Sequence, residues 1–250
     1  MTNLSEEILS RMARRGSTRK FKPIMPDKET IHKLIEVGTR APTVAQLYSI
    51  IVSTKGEHPY NAPMSLVICV DKNRMMNVLA QKGGQIKVND LSYLQLATQD
   101  AACMAAYLSL AAEIMGLGTC MIGACSMKPE RIKFLVEKHA LAHLVLPILE
   151  LVLGYPADTR KQTPRLKIDE IAFENEYPNI SNEQTKSLIE RMDQEYARVG
   201  YYKDLKTANK KRIDDNTEDT WSEHMKKKWG QDTFPIEEFI QIYDNQGFVI

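Results

Sequence analysis

Several chemistries are absent from this sequence. It contains no Gly-x-Gly-x-x-Gly and no Gly-x-x-x-x-Gly-Lys-Ser/Thr, so neither the dinucleotide fingerprint nor the P-loop is present. The Gly-x-Ser-x-Gly nucleophile elbow and the His-Glu-x-x-His zinc motif are also missing. No run approaches the roughly 18 apolar residues that cross a bilayer as a helix. The first residues, Met1 to Glu7, lack the basic flank and apolar stretch of a secretory signal, so no leader is expected. Net charge is nearly absent, with 33 Lys plus Arg against 32 Asp plus Glu. Without a global field to draw the chain onto polyanions, neither nucleic acid nor a membrane is an expected partner. Cysteine is sparse: Cys69, Cys103, Cys120 and Cys125 form no Cys-x-x-Cys, and the five histidines do not cluster around them. They read as small buried thiols in a reducing compartment, which implies a cytoplasmic protein. A metal or redox pair at Cys120 and Cys125 is the alternative. His139 and His143 are four apart with no ligand-type carboxylate between them, so no metal site is expected there.

What remains is an ordinary globular composition, 43% hydrophobic and 26% charged over 250 residues, which excludes wholesale disorder, collagen and coiled-coil rods. Residues 3–15 read as a short helix with Leu4, Ile8, Leu9 and Met12 on one face, running into a basic loop. A second helix begins after Pro26, with Asp27 as N-cap and Ile31, Leu34 and Ile35 as its stripe; Ala41-Pro42-Thr43 breaks it. Residues 48–54 and 64–70 read as strands, the second apolar throughout, as in a strand buried on both faces. The Ala-rich stretch 94–115 is apolar nearly all round, which places it centrally or in a subunit interface. A strand at 119–123, a helix at 129–139 and a strand at 147–153 follow. This uneven rhythm predicts an α+β fold: a mixed, mostly antiparallel sheet flanked by helices. The last third differs. Residues 182–200 form an amphipathic helix, 201–228 are densely charged with both signs, and 234–243 are apolar again and must pack on something. The chain therefore divides into a core, 1–180, and a C-terminal helical extension, 181–250, that wraps the core or a partner subunit.

The strongest local feature is Arg14-Arg15-Gly16-Ser17-Thr18-Arg19. Guanidinium groups bind phosphate with charge-assisted, often bidentate bonds, and a serine hydroxyl adds another. A solvated basic loop between two helices fits the spacing equally well. A second basic segment, Arg160 to Lys167, contains Lys161 and Arg165; two cationic loops on a neutral protein suit a single phosphate better than nucleic acid.

Together these segments resemble the nitroreductase family of FMN-dependent oxidoreductases. The family's Arg-x-Ser-x-Arg loop is met by Arg15, Ser17 and Arg19, followed by Phe21. Its Ala/Ser-Pro-Thr/Ser-x-x-Asn-Leu motif is matched by Ala41-Pro-Thr-Val-Ala-Gln46-Leu47. Its Ala-rich helix ending in Gly-Leu-Gly, then Ile-Gly, is matched by Gln99 through Gly116-Leu-Gly118 and Met121-Ile-Gly-Ala124. Leu153-Gly-Tyr-Pro-Ala-Asp158 and Pro164-Arg-Leu166 complete the order, and Asp219-Thr-Trp-Ser-Glu-His224 resembles a tail motif of the NADPH-preferring, oxygen-insensitive nitroreductases and flavin reductases.

The resemblance implies a homodimer with FMN in a groove at the subunit interface. Arg15, Ser17 and Arg19 would hold the phosphate and ribityl chain, with Arg165 as a further phosphate contact. Lys161 would substitute for a family lysine at the position of Thr163. Pro42, Thr43 and Gln46 would meet the polar edge of the isoalloxazine, and the backbone of Met121, Ile122, Gly123 and Ala124 would lie along its other side. The implied activity is a ping-pong cycle in which NADPH or NADH reduces the flavin and a nitroaromatic, quinone or free flavin reoxidises it. The stretch Lys203–Arg212 either holds the phosphate of the nicotinamide cofactor or is a solvated charged loop. The chain departs from the family between its first two strands: the segment that carries a Gly-Gly-Gln flavin contact in relatives is reduced to Lys55–Pro63, and Gly83-Gly84-Gln85 falls after the second strand. That departure motivates two alternatives, a non-catalytic flavin-binding or flavin-sequestering protein and a specialised flavin enzyme with an unusual small-molecule substrate.

Overall fold

A computed structural model of the protein describes residues 3–202, 220–231 and 234–250. It divides into two compact units: Met1–Arg160 with Phe234–Ile250, and Lys161–Thr233.

The first unit is built on four strands, β1 (Tyr48–Ser53), β2 (Met64–Asp71), β3 (Gly118–Ile122) and β4 (Val145–Gly154), in the order β1-β2-β4-β3. All three strand pairs are antiparallel. Among the described residues the parallel component is a single bridge, Ser17 to Thr119, outside the named strands. β2 is buried at every position, as its continuous apolar run demands. Its side chains alternate between two cores. Leu66 and Ile68 pack with Ile31 and Leu34 of α2 (Lys28–Gly38) and with Met104, Ala105 and Leu108 of α4 (Asp90–Ile114). Val67 and Cys69 pack with Ile132 and Leu135 of α5 (Pro129–Lys138) on the other face.

Caps explain the helix starts. Asp27 accepts the Thr30 N–H at 2.7 Å, and Asn89 accepts that of Ser92 at 2.8 Å. The second of these starts α4 four residues before its apolar run. α3 (Lys72–Gln81) interrupts the expected order of elements. It buries no residue fully, so it lacks a clear apolar stripe, and its signal is the cap, Asp71 accepting from Arg74 N–H at 2.9 Å. α1 (Asn3–Arg14) also buries no residue fully.

The second unit contains α6 (Asn182–Val199), started by a Ser181–Gln184 capping box and ended by left-handed Gly200, and the short α7 (Trp221–Met225). Asp193 accepts from the backbone and hydroxyl of Ser222 at 2.8 and 2.7 Å, fastening α7 to α6. The last helix, α8 (Ile236–Asn245), returns to the first unit, where Ile242 and the following Phe248 enter the α5-side core. Among the described residues no helix is long and apolar enough to cross a membrane.

Candidate cofactor site

β3 is an edge strand, and the basic loop covers its free side. Ser17 bridges Thr119, and the Thr18 N–H donates to the Thr119 carbonyl at 2.8 Å. Farther along, Lys22 N–H donates to the Tyr155 carbonyl at 2.8 Å and Ala157 N–H to the Lys20 carbonyl at 3.0 Å. Thr119 is fixed from behind by a 2.9 Å hydroxyl bond to Ser109 of α4. The loop is thus tied to the sheet along its length.

Three of the sequence-predicted residues gather around Cys120. Burial pushes that thiol's pKa up, and Arg19, the Ser17 side chain and Arg15, in that order, oppose the shift. Met121 is 47% exposed, Ile122 is half-buried, and the chain turns at Gly123 into a short 3-10 segment, Gly123–Ser126. A Cβ placed on Gly123 would meet nothing within 4 Å, so the backbone there borders open space. The structure therefore seats the 15–19 loop against Thr119, two residues before the 121–124 backbone.

Pro42, Thr43 and Gln46 stand on the loop between α2 and β1, with Pro42 and Gln46 exposed. Gln46 adopts a left-handed φ of 52°. The buried carboxylate of Asp100 accepts from the N–H groups of Val44, Ala45 and Leu47 at 2.7, 3.2 and 3.0 Å. Arg74 donates to the carbonyls of Gln46 and Tyr48, the latter at 2.7 Å. Asp100, which fastens this loop, and Ser109, which fastens Thr119 of β3, are nine residues apart on α4, about 13.5 Å at 1.5 Å per residue.

Sequence reasoning missed Asp100, Arg74 and Tyr60 as site residues. Tyr60 lies in the short β1–β2 connection, and the Arg19 guanidinium stands 5.9 Å from its ring centroid. Tyr60 and Asn61 have left-handed φ values of 60° and 51°, a costly pairing without glycine. Asp100 stands inside the Gln99–Gly118 family match, but nothing local gives it a partner there, and no motif contains Arg74 or Tyr60; each acts on a loop distant in sequence.

No family model matches the chain. A Cr(VI) reductase of Pseudomonas sp. is 31% identical over 165 residues, 60% of this chain and 67% of that protein. An oxygen-insensitive NADPH nitroreductase of Salmonella typhimurium is 29% identical over 201 residues, 80% and 75% of the two chains. The chain belongs to the nitroreductase family. An FMN reductase (NADPH) of Bacillus subtilis is 28% identical to this nitroreductase-family chain over 242 residues, 90% of each. The solved structure of B. megaterium NfrA1 superposes with a TM-score of 0.79 at 25% identity, covering 97% of this chain and 99% of that one.

Two further residues to which the nitroreductase resemblance gives a role, Lys161 and Arg165, belong to the second unit. Arg165 is exposed; its guanidinium donates to the Thr163 hydroxyl and to the Pro164 carbonyl, the latter at 3.1 Å. Arg191 donates to the Arg165 carbonyl at 3.4 Å and pairs with Glu170 and Glu195. Of the family tail motif, Thr220 caps α7 and Asp219 lies outside the described residues, as does all of Lys203–Arg212.

Proposed function

We propose that this chain is an FMN-dependent oxidoreductase that carries electrons from NADPH or NADH to a small oxidised acceptor such as a nitroaromatic, a quinone or free flavin. The observation that carries this reading is the seating of the 15–19 loop, with its two arginines and a serine, on the edge of β3, the strand that runs on to the open backbone at Gly123. That donor set fits a phosphate dianion joined to a flat ring. Fixed cations meet the charge, and a glycine lets backbone approach the ring closely. The similarity to the FMN reductase of Bacillus subtilis along 90% of both chains supports the same choice.

Bound FMN would supply the two-electron chemistry. Arg15, Ser17 and Arg19 would hold its phosphate and ribityl chain, with Arg165 and Lys161 as further phosphate contacts. Thr43, Gln46 and Pro42 would meet the polar ring edge, and the backbone of residues 121–124 would line the other side. No side chain in this set is a required general acid, so solvent supplies protons.

A homodimer is part of the proposal. α1 carries an apolar face in its sequence, yet Leu4, Leu9 and Met12 of that face are exposed in the single chain. Covering such a face releases about 25 cal/mol per Å². The four free thiols suit a reducing compartment, and we assign the protein to the cytoplasm.

The test is the absorption spectrum of the purified protein, followed by NADPH oxidation with menadione or a nitrofuran. Bound FMN and turnover are expected, with a dimer by sedimentation. A colourless protein that takes up no FMN would end the reading. Bound FMN without turnover would favour the flavin-sequestering alternative that the short β1–β2 connection motivates.

A further inference from the structure

We propose that Asp100 is a positioning residue that sets the balance between oxidised and reduced FMN, by taking up three backbone N–H groups of the ring-facing loop. The inference rests on the flavin reading above.

Asp100 sits in the middle of α4 and is 2% exposed. One carboxylate oxygen accepts from Val44, and the other accepts from Ala45 and Leu47. The left-handed turn at Gln46 aims the N–H groups on both sides of it at one point. Converging backbone N–H groups of this kind form an anion-binding concavity. A buried carboxylate requires such partners, because an uncompensated charge in the interior is very costly.

The other side of the same loop is engaged as well. Arg74 takes the carbonyls of Gln46 and Tyr48, and reaches the Ser49 hydroxyl at 3.3 Å. Loop polarity is therefore largely spent on the protein itself, the Gln46 side chain included, which donates to the Thr39 carbonyl at 3.4 Å. A concavity that would suit the anionic ring of reduced flavin is filled by a protein anion. The negative charge of Asp100 also stands directly behind the loop. Both effects weaken the hold on the reduced form relative to the oxidised form, and neither involves Arg15, Ser17 or Arg19.

The test uses the FMN-loaded protein. Asp100→Asn keeps the side-chain shape and removes the charge; its one acceptor oxygen retains the Ala45 and Leu47 bonds, while its amide nitrogen gives up the Val44 N–H. Its preference for reduced over oxidised FMN should rise about tenfold, read as a midpoint potential ~30 mV higher for a two-electron couple. Oxidised FMN should bind within about threefold of wild type. Arg74→Ala frees the loop on its other side but removes a positive charge, so it should leave the preference for reduced FMN unchanged or lower it, the direction opposite to Asp100→Asn. An unchanged preference in Asp100→Asn overturns the proposal. Equal shifts in the two variants also overturn it, because loop slack alone would then suffice.

Should Asp100→Asn fail to fold, amide exchange in wild type decides. The Val44, Ala45 and Leu47 amides should be protected without FMN and unchanged on its addition. Fast exchange without FMN, followed by protection with it, overturns the proposal. A wild type that takes up no FMN would overturn the flavin reading together with this one. Uptake with an unchanged preference in the variant would overturn this one alone.

Discussion

A Cβ built on Gly118 would stand 2.8 Å from the Cβ of Thr18, closer than packed carbons tolerate. Thr18 is wholly buried, and its neighbours Ser17 and Arg19 are the proposed phosphate ligands. The glycine at the start of β3 is what allows the basic loop to lie against the strand.

Gly118→Ala should therefore act on both stability and binding. Overpacking of this kind costs about 1–3 kcal/mol. For a chain this size each kcal/mol lowers Tm by roughly 2–4 °C. The displaced loop should also weaken FMN. A variant with wild-type Tm and wild-type flavin affinity would show that the close approach is unimportant.

Arg165→Ala should weaken FMN by roughly 1.5–3 kcal/mol, the usual value of a hydrogen bond to a charged group, or about tenfold to over a hundredfold in Kd. Fluorescence titration measures this directly. Unchanged affinity would remove Arg165 from the site.

The C-terminal residues anchor the chain through Phe248, which is wholly buried. Asp90 accepts the Val249 N–H at 2.9 Å, and Lys72 pairs with Asp90 while lying 5.9 Å from the Phe248 ring centroid. Phe248→Ala should cost about 3–5 kcal/mol. The denaturant midpoint should fall accordingly, and a shift under 1 kcal/mol would contradict the anchoring role.

Acid should destabilise the protein through His58. This ring is buried beside β1, 3.1 Å from the Ser53 hydroxyl, and burial first, then the nearby Lys138, lowers its pKa. His139 is shifted the same way, again chiefly by burial. The unfolded chain takes up these protons near pH 6.5 and the folded chain only at lower pH, so stability is complete above that value and declines as pH falls below it. Tm measured from pH 7.5 to 5.5 should drop, and His58→Gln should flatten the drop. An equal loss in both proteins would rule His58 out.

Part of the proposed site is legible in the sequence alone. Arg15, Ser17 and Arg19 form a local motif, and Asp27 caps α2 as its position suggests, because both depend on neighbours within a few residues. Asp100 was not legible as a loop anchor. It lies in an Ala-rich helix 53 residues after Leu47, and only packing brings its carboxylate under three amides. Tyr60 was hidden similarly: its short connection read as a plain loop, while the fold stands its ring beside Arg19. α3 escaped because a helix that buries nothing fully leaves little periodicity to read.

By itself, the order of amino acids determined the α+β class, the apolar character of the Ala-rich helix on nearly all sides, the burial of the second strand and the place of the basic loop after the first helix. These follow from side-chain periodicity, caps and residue chemistry, which act over a turn or a strand. Tertiary structure alone decided the strand order β1-β2-β4-β3, the seating of residues 15–19 on the β3 edge, and the partners of Asp100 and Arg74. Those depend on which distant surfaces fit one another, and fit is a property of the folded shape rather than of any stretch of sequence.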